Sequence, residues 1–286
     1  MPSQTFILTF ACDDMPGIVA NVTNHIFKSG GNILESHQYN DIETNRFFMR
    51  TAYRFADPAG SAALEAGFAP IAAHYGMDYR IRARSQRPKV LILASKADHC
   101  LADLLYRRRI GGVDMGVTGI VSNHPRDTYA SLDFGDIPFH HLQTIPGNKA
   151  AQETQIWALF QSTGSELAVL ARYMQILSDD LAAKFSGRCI NIHHSFLPGF
   201  KGAKPYHQAH ERGVKVIGAT AHYVTADLDE GPIIEQDVER ISHSDTPEDL
   251  IRKGRDIERR VLARAIAFHL DGRVLVNGPR TVVFRD

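Results

Sequence analysis

C-I-N-I-H-H-S-F-L-P-G-F-K-G-A-K, residues 189–204, is an apolar run that ends in polar side chains and passes at once into a Gly/Pro turn. Open α/β sheets place their sites where strands end in this way. The stretch therefore predicts a strand over residues 188–193 with a site at its end. Side chains alternate along a strand with period two, which puts Asn191 and His193 on one face. An amide N–H and an imidazole N–H aimed at one point polarise a carbonyl and hold the oxyanion that forms from it.

The surroundings repeat the pattern. Apolar runs at residues 90–94, 115–122, 137–143 and 166–171 alternate with helical spacing at 100–109, 149–160 and 178–185. Continuous apolar runs mark strands covered on both faces. Their alternation with helices predicts right-handed crossovers and an α/β, Rossmann-like, mostly parallel sheet. Farther on, residues 214–224 and 233–241 read as strands flanking A-D-L-D-E-G. Thr246 and Pro247 open a last helix that runs to Leu270, as N-cap and first helical residue. Residues 273–276 and 282–284 form a terminal hairpin.

Residues 1–83 have a different grammar. Strand patterns at 6–11, 32–40, 46–55 and 77–83 and helical patterns at 18–27 and 59–75 give the order β-α-β-β-α-β, the split pattern of a ferredoxin-like sandwich. An Asp before Pro16-Gly17 predicts a carboxylate cap on the first helix. The basic, Pro-ending residues 84–88 read as a linker, which leaves residues 89–286 as the second domain.

Formal net charge is zero, so no global field favours nucleic acid or an anionic membrane. No apolar run reaches the ~20 residues that span a bilayer. The N-terminus lacks a basic n-region and reads as a strand rather than a signal peptide. Cys12, Cys100 and Cys189 have spacings unlike zinc or disulfide frameworks, which points to a reducing cytoplasm.

Three stretches carry chemistry: L-A-R-Y-M-Q-I-L at 170–177, N-I-H-H at 191–194, and H-Y-V-T-A-D-L-D-E-G-P at 222–232. Asp229 is placed to orient His193 or to take a proton from water. Each piece alone also has a plain structural reading: a buried His satisfied by a carbonyl, or a turn Asp before Gly. His207 and His210 sit at helical spacing without a third metal ligand and read as a solvated helix face.

Taken together, N-I-H-H-S-F-L-P-G-F-K-G-A followed by H-Y-V-x-x-x-L-D-E-G-P-I-I-x-Q resembles the folate-dependent formyltransferase family over residues 89–286. C-D-D-M-P-G-I-V with G-G-N-I after the first helix resembles the ACT domain, a regulatory module. An ACT-like front end on this fold resembles the formyltetrahydrofolate deformylases. The resemblance implies hydrolysis of 10-formyltetrahydrofolate to formate and tetrahydrofolate, which balances one-carbon pools and supplies formate for purine synthesis.

By matching motif, Asn191, His193 and Asp229 become the catalytic trio. Met174, Gln175, Ile176 and Leu177 with Thr225, Ala226 and Asp227 become the folate-binding loops. Gln175 departs from the Arg common at that place. The folate is substrate, and no cofactor or metal is implied. For the ACT-like part the resemblance implies an amino-acid site at Asp14, Met15, Pro16, Gly17 and Ile18, with glycine or methionine as effector. A module that only dimerises is the other reading, and a homodimer or homotetramer is expected in either case.

Relatives that formylate a phosphorylated amine carry a Gly/Ser-Asn-rich loop at a helix N-terminus. Here that place reads A-S-K-A-D-H at 94–99, with no glycine and with Asp98 to repel a phosphate. His194 stands where those relatives have Pro. Water is therefore the expected acceptor, and transfer to an unidentified amine is the alternative.

Overall fold

The computed structural model describes residues 4–55, 59–145, 147–199 and 205–285; the side chains of 59–63 and 205 lie outside that description. Residues 200–204, the end of the stretch quoted first, are outside it too, as are residues 1–3 of the N-terminal reading. The chain forms two compact units, Met1–Arg87 with Asp271–Asp286, and Pro88–Leu270.

The first unit runs β1 (Gln4–Asp13), α1 (Ile18–Lys28), β2 (Gly31–Asp41), β3 (Arg46–Phe55), α2 (Ala59–Tyr75) and β4 (Asp78–Ala83). Its sheet has the order β2-β3-β1-β4 with every pair antiparallel, the ferredoxin-like arrangement. One core lies between this sheet and the helices, built on Leu8, Phe10, Val22, Ile26, Tyr53 and Phe68. Asp14 does not cap α1. Gly17, at φ 91°, is the cap residue, with no side-chain hydrogen bond. The Asp14 carboxylate instead accepts from Asn40 Nδ2 at 2.6 Å. A left-handed residue turns the chain into the helix here, which glycine does without steric cost.

The C-terminal segment belongs to this unit rather than to the second domain. Its hairpin, β12 (Val274–Asn277) and β13 (Arg280–Val283), supplies Phe284, Leu275 and Val282 to a second core with Ala11 and Phe48. Burial of both faces explains why β3 is buried along most of its length. It also encloses Arg50, which is fully buried: Nη1 reaches Glu35 at 2.8 Å and Nη2 reaches Asp271 at 2.7 Å. A guanidinium out of water requires such partners. Neighbourhood in sequence had placed the hairpin with the preceding helix; the unpaired apolar sheet face and Arg50 decide otherwise.

The second unit comprises β5 (Lys89–Ala94), α3 (His99–Arg109), β6 (Gly116–Ser122), β7 (Phe139–His141), α4 (Lys149–Ser162), β8 (Leu167–Ala171), α5 (Asp179–Lys184), β9 (Cys189–His193), α6 (Pro205–Glu211), β10 (Val216–Tyr223), β11 (Ile233–Arg240) and α7 (Pro247–Leu270). The sheet order is β11-β10-β9-β8-β5-β6-β7. The pairs from β9 across to β7 are parallel, and β10 is antiparallel to both neighbours. Thr246 opens α7 as expected: its hydroxyl accepts from Asp249 N at 3.2 Å, and its own N–H donates to the Asp249 carboxylate at 3.1 Å.

Candidate active site

Pairing register aligns Leu170, Asn191 and His222 in one row across β8, β9 and β10. His222 Nδ1 lies 2.8 Å from the carbonyl oxygen of Tyr223, which can only accept. Nδ1 therefore carries the proton, and in neutral His222 Nε2 is bare. It accepts from Asn191 Nδ2 at 3.3 Å. That bond turns the amide so that its NH₂ group, rather than its oxygen, faces the row, and it leaves a second N–H for the pocket.

Because β10 runs against β9, the loop that follows it must double back to reach His193. The sequence provides for this at two residues. Asp229 takes φ 58°, and Glu230 N closes a turn onto the Asp227 carbonyl. At Gly231 any Cβ would overlap the Tyr223 carbonyl oxygen, so only glycine fits. The outcome is Asp229 Oδ2 at 3.2 Å from His193 Nδ1 and Oδ1 at 3.6 Å from His222 Nε2.

Burial pushes the Asp229 carboxyl upward in pKa, but His193, bonded at 3.2 Å, and the nearby His222 outweigh it and hold the group well below the usual carboxylate range. With Nδ1 of His193 turned to Asp229, Nε2 is buried and has no hydrogen-bond partner among the described residues. Buried polar nitrogens are nearly always satisfied, so an orphan on a cavity wall is a place for a ligand atom. His194 has a different environment. Burial, the Arg172 guanidinium and His193 push its pKa down to about 4, so it is neutral beside its neighbour.

These groups line a cavity of about 360 Å³. Both loops expected to hold folate, 174–177 and 225–227, line it as well. Met174, Ile176 and Leu228 are each more than half exposed at its rim, an apolar surface suited to a flat aromatic ligand. Gln175 is turned toward Thr144, whose hydroxyl lies 3.5 Å from its Oε1.

Of the residues expected to bind an effector, Asp14, Met15 and Pro16 are at least partly exposed, whereas Ile18 is buried in the first unit's core and offers no surface to a ligand. His207 and His210 lie on α6, and neither belongs to a group of three metal-ligating side chains among the described residues. Three residues near the site went unassigned in the sequence: His222, Arg172 and Glu258. His222 and Arg172 stood inside the chemistry-bearing stretches 222–232 and 170–177 without a role of their own, and Glu258 meets Arg172 only through the fold.

Comparison with known proteins agrees with this geometry. A family model described as formyl transferase matches residues 88–266. A formyltetrahydrofolate deformylase of Corynebacterium sp. (strain P-1) is 47% identical over 281 residues, covering 98% of each chain. The crystal structure of a formyltetrahydrofolate deformylase from Burkholderia mallei superposes with a TM-score of 0.94 at 49% identity, over 98% of this chain and 99% of that one. Glycinamide ribonucleotide transformylase 1 from Symbiobacterium toebii is more distant: TM-score 0.65, 29% identity, 71% of this chain and 96% of that one.

Proposed function

The chain belongs to the formyltetrahydrofolate deformylase family, and from that premise we propose how its own side chains hydrolyse 10-formyltetrahydrofolate to formate and tetrahydrofolate. The observation that carries the assignment is the buried His193 Nε2, unpartnered on the cavity wall while Nδ1 is fixed by Asp229.

The folate ring system lies between the loops 174–177 and 225–227, with its formyl group toward β9. The second Asn191 Nδ2–H and a protonated His193 Nε2 donate to the formyl oxygen. A water held by Asp229 attacks the formyl carbon, and the negative charge passes to that oxygen between the two donors. Asp229 receives the water's proton and, being a weak base, releases it to solvent, while its 3.2 Å contact with Nδ1–H keeps His193 oriented. His193 gives its Nε2 proton to N10 as the C–N bond breaks, and that nitrogen is then reprotonated from solvent. Tetrahydrofolate leaves with that proton. The formic acid ionises, so the second proton of the water goes to solvent. These side chains and water suffice without a metal or cofactor.

Water is the acceptor because the corner where a phosphorylated amine would sit is occupied by internal bonds. The Ser95 hydroxyl is bonded to Asn123, its carbonyl accepts from Tyr129 Oη at 2.7 Å, and Tyr129 also meets Ser122 at 2.8 Å. The backbone amides there meet no glycine-rich cradle. Formate released from 10-formyltetrahydrofolate with no amine present is the deciding measurement. Dependence on an added amine would favour transfer.

The reaction returns tetrahydrofolate, balances one-carbon pools and supplies formate for purine synthesis. The first unit is read as an ACT-like regulator, in which Asp14, Met15, Pro16 and Gly17 take glycine or methionine at the interface of a homodimer or homotetramer. Buried, free Cys12, Cys100 and Cys189 suit a reducing cytoplasm, and among the described residues no helix is long and apolar enough to cross a membrane. A change of turnover and melting temperature with either amino acid tests the regulator.

A further inference from the structure

Arg172, directly after β8, has φ 62°. Outside glycine this left-handed conformation is uncommon, and for a long side chain something must hold it. The residue stands where the chain leaves the sheet and becomes the loop 173–177, so its backbone angles set the direction in which that loop departs.

The holding group is Glu258, in the middle of α7 and 1% exposed. Its Oε2 forms an ion pair with Arg172, 3.3 Å from Nε but not aligned as a hydrogen bond, and lies 2.7 Å from His99 Nε2; its Oε1 accepts from Tyr206 Oη at 2.7 Å. Burial alone would raise the carboxyl's pKa, yet the bond from His99 and the guanidinium of Arg172 lower it, so the group is an anion in the core. One turn earlier on the same helix stands Gly254, where a Cβ would overlap the Tyr206 ring and hydroxyl. A helix gives up stability to carry glycine, and here the gap admits Tyr206 to Glu258. Left-handed Arg172, buried Glu258 and mid-helix Gly254 form one construction.

The construction is not a cation site. His99, Cys100 and Glu258 have ligand atoms within 4.8 Å of one another. The Arg172 guanidinium already neutralises the carboxylate oxygen that a cation would need, and burial holds the Cys100 thiol in its protonated form. Arg172 itself lines the cavity that holds Asn191, His193 and Asp229, whereas His99, Cys100 and Glu258 stand behind it and are not among the lining residues.

We propose that Glu258 is a positioning residue for this reaction: through Arg172 it sets the course of residues 173–177 and so governs folate affinity without touching the substrate. The proposal rests on reading the cavity as the folate site. Its distinguishing consequence is that glycine at position 172, which adopts the left-handed conformation unaided, makes Glu258 dispensable.

The test uses the whole chain with 10-formyltetrahydrofolate and follows formate release. Glu258→Gln is expected to raise KM roughly tenfold with kcat little changed, the pattern of lost binding rather than lost transition-state contact. Adding Arg172→Gly is expected to bring KM most of the way back, and adding Arg172→Ala is not. Equal KM in the two double variants overturns the proposal. If Glu258→Gln does not fold, the single variants decide: Arg172→Ala must have a higher KM than Arg172→Gly, and equality again overturns it. Ile176→Ala, in the cavity rim, reads the folate site separately. An unchanged KM there removes the folate reading itself. A raised KM there with an unchanged one in Glu258→Gln removes only the positioning role.

Discussion

His193 and Asp229 meet through Nδ1 and Oδ2 at 3.2 Å, and the opposite ring nitrogen of His193 is left buried and unpartnered among the described residues. One edge of the imidazole is thus committed to the protein and the other to whatever enters the cavity. Asp229→Asn exchanges the anion for a neutral amide and withdraws both the carboxylate that faces His193 Nδ1 and the acceptor for the water's proton. A fall in kcat of about 10³ is expected, with KM changed far less; retention of more than a tenth of turnover in formate release would contradict it.

Asn191→Ala removes a formyl-oxygen donor and is expected to lower kcat by ~10²–10³. His222→Leu leaves Asn191 in place but takes away the acceptor that orients its amide. A smaller loss is expected, roughly tenfold in kcat. In the double variant most of the effect of His222→Leu should vanish, the part that acts through Asn191, leaving only what its 3.6 Å approach to Asp229 contributes. Additive losses would give His222 a separate role.

Gly231→Ala places a methyl group on the Tyr223 carbonyl oxygen. The turn must open, and Asp229 moves from His193. The expected outcome is a near-complete loss of activity with most of the fold's stability retained, since the strain is confined to one loop. Circular dichroism melting alongside the formate assay separates the two effects.

His194, with its pKa pushed down to about 4 by burial and by the Arg172 and His193 charges, gives a pH signature. An unfolded histidine titrates near ~6.5, so between that value and 4 the unfolded chain binds more protons than the native one. The neutral His194 contribution is complete above ~6.5 and is lost as pH falls toward 4, up to ~3 kcal/mol in all. Urea unfolding of the wild type and of His194→Gln at pH 7 and pH 5 should show a smaller acid loss in the variant.

Arg50→Ala strips the cation from the buried group with Glu35 and Asp271. Breaking such a pair from one side costs about 3–5 kcal/mol. Denaturation of this variant should begin in the first unit, followed by fluorescence or hydrogen exchange on β3 and the terminal hairpin. Unchanged protection there would mean the carboxylates have found other partners.

Much of this molecule was readable from residue patterns because the relevant rules are local. Period-two alternation put Asn191 and His193 on one face, and continuous apolar runs marked β5, β6 and β8 as buried strands. The Asp before Pro16 misled because the same residues also build a left-handed entry at Gly17, and propensity does not rank the two. Arg172 and Glu258 were opaque for a different reason. Each alone resembles a surface charge, and only the crossing of α7 beside the end of β8 neutralises them. The hairpin was assigned to the wrong unit because its partners, Phe48 and Arg50, are remote in sequence.

That hairpin has a consequence for synthesis. Arg50 leaves the ribosome 221 residues before Asp271, the residue whose carboxylate and carbonyl it needs. Until then the nascent first unit carries an uncovered apolar sheet face and a guanidinium without one of its two anions. The second unit, Pro88–Leu270, is made entirely within that interval. The order of maturation is therefore the reverse of the order of translation: the segment made first is the one completed last.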